Sequence, residues 1–326
     1  MSKIVTNRHD ILILFDVTNG NPNGDPDAGN MPRIDPTTNK GLVSDVCLKR
    51  KVRNFVINFC RDTDGKPKAE QDVLIRQGTI IGNEIQRAIN KASESLDKKA
   101  SDREKAKAAM EWLCREFYDV RTFGGVLAVG NDVLKGSPYG QVRGPIQFTF
   151  ARSFDPITPL DISITRCAVT RPEDEKKERT MGNKHIVPYA LYAAKAYVSP
   201  VFAERTGFTD DDLNLFFEAL QQMFSHDQSA ARAEMTVRGI YDFEHVGTQD
   251  PNNAEQNGRE ARLGCYHAHK LFEGVHVGLN PGKTYPESFD DYKGQIVCTW
   301  TENTLPKGVV LHFKHEQPVI SMRFKA

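Results

Sequence analysis

The chain has 326 residues, 39% of them hydrophobic, which suits one large domain, or one domain with insertions, around a packed core. Lys plus Arg and Asp plus Glu number 43 each, which excludes a uniformly basic nucleic-acid-binding domain, so any polyanion site must come from local clustering. No apolar run approaches bilayer length, the opening MSKIVTNRHD has no apolar signal-peptide core, and six scattered cysteines lack any CxxC spacing, so a cytoplasmic protein with free, mostly buried thiols is expected.

The run DILILFDV, Asp10 to Val17, is short, apolar and bounded by turn signals, which predicts a buried strand. It leaves into NGNPNGDPDAGN, a loop of the kind that is either functional or disordered. Next, Leu48, Val52, Phe55, Val56 and Phe59 recur at helical spacing, with Ser44 as N-cap and Asp45 in the first turn. At about 100° per residue, Lys49, Arg50 and Arg53 form a basic ridge beside the apolar stripe. They belong to the densest basic cluster, in which Lys40, Lys49, Arg50, Lys51 and Arg53 face Asp45 alone.

After a polar connector, 61 to 72, the spacing predicts helix from Val73 to Tyr118, with a capping box at Ser101 and Glu104. Glycines then break regularity until IQFTFARS, where Ile146, Phe148 and Phe150 alternate as a strand would. LDISITRCAV, Leu160 to Val169, alternates again. Residues 170 to 184 carry near-balanced charge with little to bury and read as a solvated excursion, from which IVPYALYAAKAYV returns apolar. Thr209 caps a second amphipathic helix bearing Leu213, Phe216, Phe217, Leu220 and Phe224, and MTVRGIYDFEHV reads as a strand. Beyond about Thr248 the chain reads as loop, up to two closing strands, GVVLHFK and PVISMRF. The order strand, helix, strand, strand, helix, strand predicts an α+β fold with a ferredoxin-like or RRM-like core.

Several motifs are decoys. NGNPNGDPDAGN spaces its polar residues like a calcium loop but starts on Asn19 and ends on Asn30, with no bidentate Glu. CYHAH brings Cys265, His267 and His269 close in sequence, with no second pair at zinc spacing. RTFGG matches part of an RNA-binding signature without its further stacking aromatics and reads as a glycine turn. Asp210 to Asp212 sit where a helix dipole favours acids. No catalytic Ser/His/Asp or Cys/His set is identifiable, no cofactor is implied, and the strongest enzyme alternative is a metal-dependent ribonuclease using loop aspartates, Asp25 or Asp27. The favoured combination is the Asn/Gly loop, including Asn19, Asn21 and Asn23, with the free N–H groups of the following helix and Lys49, Arg50 and Arg53: a cradle for a phosphate backbone.

FDVTNGNPNGDPDAGNMPRIDP, GLVSDVCLKRKVRNFV, GPIQFTFARS and MGNKHIVPYALY, in this order, resemble the backbone subunit of type I-C CRISPR Cascade, the Cas-seven family in its Csd-two subtype. The resemblance runs from about Ile11 to KLFEGVHVGL. It implies an RRM-like palm with helical fingers and a β-hairpin thumb: palm over 1–60, 145–169 and 186–248, fingers over 61–144, thumb over 170–185, and a loop-rich closing segment over 249–326. It implies a non-catalytic protein that stacks head to tail with copies of itself along CRISPR RNA. The spacer stays free to pair with target DNA, and the partners are a guide 5′-end-capping subunit, a large subunit and a small subunit. The resemblance also carries Arg143, Arg166, Lys184 and His185 as RNA-facing residues and Met181 as a wedge at the kink in the RNA.

Overall fold

The computed structural model describes residues 2–97, 99–130, 133–169, 171–174, 181–232, 234–248, 250 and 252–314. In chain order, β1 (Arg8–Gly20) leads into a small ribbon of β2 (Gly24–Asp25) and β3 (Met31–Pro32), and β4 (Lys40–Val43) precedes α1 (Asp45–Phe59). A helical body follows: α2 (Ile81–Glu94), α3 (Asp102–Glu116) and α4 (Tyr118–Phe123), closed by the pair β5 (Gly124–Val126) and β6 (Gln141–Arg143). Then come β7 (Ile146–Phe148), β8 (Ala151–Pro156), β9 (Leu160–Thr165), β10 (Met181–Val198), α5 (Pro200–Thr206), α6 (Asp210–Gln222) and β11 (Glu234–His245). The last elements are α7 (Ala254–Leu263), α8 (Ala268–Glu273), β12 (Val275–Val277), β13 (Ile296–Cys298) and β14 (Val309–Phe313). The expected strand PVISMRF lies outside the described residues.

The central sheet is antiparallel and runs β14-β11-β1-β10-β8-β4, with β7 also against β10. β1 sits in its middle, and its two faces serve two cores. Ile11, Ile13, Phe15 and Val17 pack with α1 and α6, while Leu12 and Leu14 meet the C-terminal elements. A strand buried on both faces has no polar side to present, which is why DILILF reads as an unbroken apolar run.

α1 buries Leu48, Val52, Phe55 and Val56 as its spacing demands, but Phe59, in its last turn, is 55% exposed. Ser44 precedes the helix without capping it through its side chain. α3 carries the full Ser101–Glu104 capping box and α6 the equivalent from Thr209 and Asp212. The expected helix from Val73 to Tyr118 starts only at Ile81, residues 73–80 being irregular, and is two helices separated by residues 95–101. The alternation through Phe150 is also corrected: β7 ends at Phe148, Phe150 is exposed, and β8 starts one residue later. The segment beyond Thr248 is more ordered than its sequence implies. Leu271, Phe272, Tyr292, Ile296 and Val309 from its short elements cover the second face of the sheet.

Two buried ion pairs fasten the helical body to α1 and α6. Asp119, 1% exposed, accepts from Arg53 Nε at 2.8 Å and from the N–H groups of Leu74 and Ile75 at 2.8 and 3.1 Å. Arg121 grips Asp212 through Nε and Nη2 at 2.9 and 2.7 Å and donates to the carbonyls of Glu70, Cys114 and Arg115. Removing one partner of such a pair leaves an uncompensated buried charge, so each joint is stiff.

Candidate nucleic-acid interface

The Asn/Gly segment is a pinned ribbon. Asn19 and Asn30 adopt left-handed backbone, with φ of 48° and 66°, a region that Asn tolerates better than most residues. Asn21 is buried and donates from Nδ2 to the Asn30 carbonyl at 2.8 Å, closing the ribbon on itself. Gly24 lets the Asn30 side chain pack onto the ribbon, because a Cβ there would lie 1.9 Å from Asn30 Oδ1 and would push that side chain aside. Asn23 Oδ1 accepts both the Ser44 N–H, at 2.9 Å, and the Ser44 hydroxyl, at 2.8 Å. The loop thereby docks on the N-terminus of α1. Asp25 accepts from the Asp27 N–H at 3.2 Å and faces Arg33 at 3.4 Å.

The other half of the site comes from β10. Its outer part, Met181 to Ile186, pairs only with β9, from Thr165↔Met181 to Ile186↔Leu160, and its remainder enters the central sheet. This pairing moves the base of the hairpin back to Leu160. Where the hairpin leaves the sheet, Met181, Gly182, Asn183, Lys184 and His185 face Asn21, Gly29, Asn30 and Ala231 across an open groove of about 550 Å³. Two segments some 150 residues apart in sequence thus share one concave surface. Lys184 Nζ donates to the Ala230 carbonyl at 3.4 Å, His185 Nδ1 lies 3.5 Å from Asp161, and Met181 is 71% exposed.

The remaining nominated residues sit elsewhere. Lys49 pairs with Asp45 at 2.9 Å, and both Lys49 and Arg53 lie over the Phe123 ring, at 5.9 and 5.4 Å, on the side of α1 that meets the helical body. Arg50 is exposed and donates to Asn54 Oδ1 at 3.1 Å. The flank of α1 that meets the loop carries Ser44, Cys47, Lys51 and Asn54 instead, one turn apart along the helix. Cys47 Sγ reaches the Pro22 carbonyl, and Lys51 and Asn54 both hold Asp227. Arg143, on β6, lies over Phe202 at 5.2 Å, away from the groove. Arg166 follows the outer end of β9, one residue beyond Thr165, the register partner of the groove residue Met181.

The sequence reading missed residues 223–232, which link α6 to β11. The Ala231 carbonyl accepts from the Asn21 N–H at 2.6 Å, and Asp227 gathers Lys51, Asn54 and, at 3.2 Å, Arg232 Nε. The only sequence signal was the spacing of Lys51 from Ser44 and Cys47. CYHAH proves to be a bend, with His267 at the N-terminus of α8 and the His267 and His269 rings stacked at 5.7 Å. Among the described residues no three His, Cys, Asp or Glu side chains are grouped to hold a metal ion.

The family profile described as CRISPR-associated protein Cas7 matches residues 7–297. A protein of that description from Haloferax volcanii is 28% identical over 260 residues, spanning 74% of this chain and 73% of its own length. Among solved structures, a chain of a CRISPR RNA-guided surveillance complex in a pre-nicking state is 16% identical, with a TM-score of 0.47 over 72% of this chain and 78% of that one. Another from a CRISPR RNA-guided surveillance complex is also 16% identical, with a TM-score of 0.40 over 72% and 68%. With its profile matched across most of its length, from β1 to β13, the chain belongs to the CRISPR-associated protein Cas7 family.

Proposed function

We propose that the chain is the CRISPR RNA-binding backbone subunit of a type I-C Cascade, acting in the cytoplasm. It polymerises head to tail along the guide, holds the sugar-phosphate backbone and leaves the bases free to pair with target DNA. Membership of the Cas7 family supports the general role. The observation that carries the site is the groove, which joins the Asn/Gly ribbon to Lys184 and His185 of the hairpin base. Backbone N–H groups, small residues and a few cations suit a phosphate chain and carry no means of reading sequence. The order β11-β1-β10-β7/β8, with α1 and α6 on one face, supports an RRM-like palm; the helical body corresponds to fingers and the β9–β10 hairpin to a thumb. Leu160, Ile162, Ile164 and Met181 are all exposed on that hairpin, which fits a thumb whose cover is a neighbouring copy.

The experiment is fluorescence anisotropy with unrelated single-stranded RNAs across a salt series, using protein stripped of any RNA that copurifies. Expected are similar affinities for all sequences and a linear fall of log K with log salt, about 0.7 per phosphate neutralised. Affinity independent of salt, or restricted to one sequence, would count against it. The same preparation tests the ribonuclease alternative. In magnesium the wild type and the double variant Asp25→Asn/Asp27→Asn should both leave RNA intact, and cleavage by the wild type alone would establish an enzyme.

A further inference from the structure

The connector 223–232, whose Ala231 lines the groove, is tied to both of its other walls and to α1 behind the ribbon. Its Ala231 carbonyl takes the ribbon through Asn21, its Ala230 carbonyl takes the hairpin through Lys184, and its Asp227 takes α1 through Lys51 and Asn54. At its start, His226 packs edge-on against Phe59 at 5.4 Å and within 5.7 Å of Phe55, which fixes the connector to the end of α1.

The charges around Asp227 on this connector do not balance. Burial works to raise the Asp227 carboxyl's pKa, but Lys51, Arg232 and Asn54 outweigh it and hold the group below its ordinary value, so it is ionised at neutral pH. One carboxylate thus serves two cations. The Lys51 side chain is 6% exposed and spent on Asp227; Arg232 is 39% exposed and gives Asp227 only its Nε. Among the described residues its two Nη groups make no hydrogen bond. Arg33 stands close by, and Arg33, Lys51 and Arg232 all act on the Cys47 thiol, opposing the upward push that burial gives it. Arg33 Nη1 faces Asp25 at 3.4 Å, but its Nε is buried without a hydrogen-bond partner among the described residues. One buried donor without an acceptor, and a solvent-facing guanidinium edge that the protein holds from one side only, suit an anionic ligand.

We propose that the α6–β11 connector is the third wall of the RNA groove, that Arg232 contacts a backbone phosphate through its Nη groups, and that Asp227 positions it. The proposal rests on the RNA-binding reading above. Asp227 fixes the near side of the guanidinium, so the far side is presented in one orientation and little side-chain entropy is lost on binding.

The test uses the full chain, stripped of RNA, with a fluorescein-labelled single-stranded RNA of mixed sequence, over a potassium chloride series. Arg232→Ala should bind about tenfold more weakly and lower the salt slope by about 0.7, the loss of one phosphate contact on a single strand. Arg232→Lys should recover the slope but not the full affinity, because a point charge replaces the fork. Asp227→Asn should weaken binding in the wild-type background and add nothing to the RNA-binding defect of Arg232→Ala. Arg232 is partly exposed and at the surface, so its variants remain informative even if Asp227→Asn fails to fold. Wild-type affinity and slope in Arg232→Ala would overturn the proposal, as would a further loss of binding when Asp227→Asn is added to it. Failure of the wild type itself to bind RNA would instead overturn the underlying function.

Discussion

Arg53 projects from α1 towards Phe123 and meets an aspartate 66 residues further along the chain. A helical wheel locates Arg53 on a polar flank correctly, but it carries no information about which element will cover that flank. The insertion that supplies Asp119 does so only in three dimensions. The pair predicts a clear separation within the basic ridge. Arg53→Ala leaves Asp119 buried with two backbone donors and no cation, and should cost about 2–4 kcal/mol in urea unfolding. Arg50→Ala, at an exposed position with only Asn54 as partner, should stay within about 0.5 kcal/mol of wild type. Equal stabilities would mean that the Arg53–Asp119 joint does not hold the helical body. Ser44 and Asn23 teach the same lesson at shorter range. The sequence marks Ser44 as a helix start, but its hydroxyl is donated to Asn23 Oδ1, so the residue serves the loop.

At the scale of elements, what was legible followed from periodicity. α1, α3 and α6 carry long stripes of apolar residues and two of them carry capping boxes, so local sequence and tertiary packing agree. The β2–β3 ribbon was not legible, since its order comes from Asn side chains bonding backbone groups across the loop. β9 was legible as a strand but not as hairpin stem: Leu160, Ile162 and Ile164 alternate as though one face were buried, yet all three are exposed. An element with so little cover from its own chain contributes little to the monomer. Replacing residues 164–182 by a short Gly-containing turn keeps the pairs from Ile162↔Lys184 inward and should leave the melting temperature within a few degrees of wild type. Binding to a short RNA should largely survive, while assemblies on a long RNA, measured by light scattering, should fall apart. Assemblies of unchanged mass would show that other surfaces join the copies.

Across the whole molecule, the sheet is sealed between two unlike layers: α1 and α6, whose pattern announces them, and a C-terminal cover of elements mostly too short to show a period. The cover is held at the sheet's edge by polar ties as well as apolar ones. Glu244 on β11 accepts from His312 Nε2 of β14 and from Asn7 Nδ2, both at 2.7 Å. Beneath them lie the buried pairs His9–Asp242 and His245–Asp10, at 2.8 and 2.9 Å; His245 Nδ1 accepts the Cys265 N–H, so its Nε2–H donates to Asp10. The bond from His312, helped by Asn7, holds the Glu244 carboxyl at about 2 against an ordinary 4.5. A carboxylate lowered on folding stabilises fully above its unfolded value, and the contribution is lost as pH falls through its folded one. Wild type should therefore lose about 2 kcal/mol relative to Glu244→Gln between about pH 5 and pH 2, after allowance for the solvent reaching His312. Urea titrations of both proteins across that range check it, and parallel profiles would dissociate Glu244 from the edge.

β10 runs for 18 residues without interruption, from the exposed outer stem to the buried centre of the sheet. At about 3.3 Å per residue, the part that pairs only with β9 extends roughly 20 Å. No turn or glycine-rich joint separates Lys184 and His185 from the residues buried against β1, so the hairpin is cantilevered from the sheet. Its outer end is a fixed offset in both distance and rotation, and the pitch of any array built through it would be dimensioned by one strand. Pleating makes that offset discrete. One residue added to each strand beside the Ser163↔Asn183 pair would turn every outer side chain to the opposite face, whereas two added to each would restore the facing and lengthen the arm by about 6.6 Å. The single insertion should therefore damage assembly on long RNA more than the double one, and a steady decline with length alone would reveal a compliant arm.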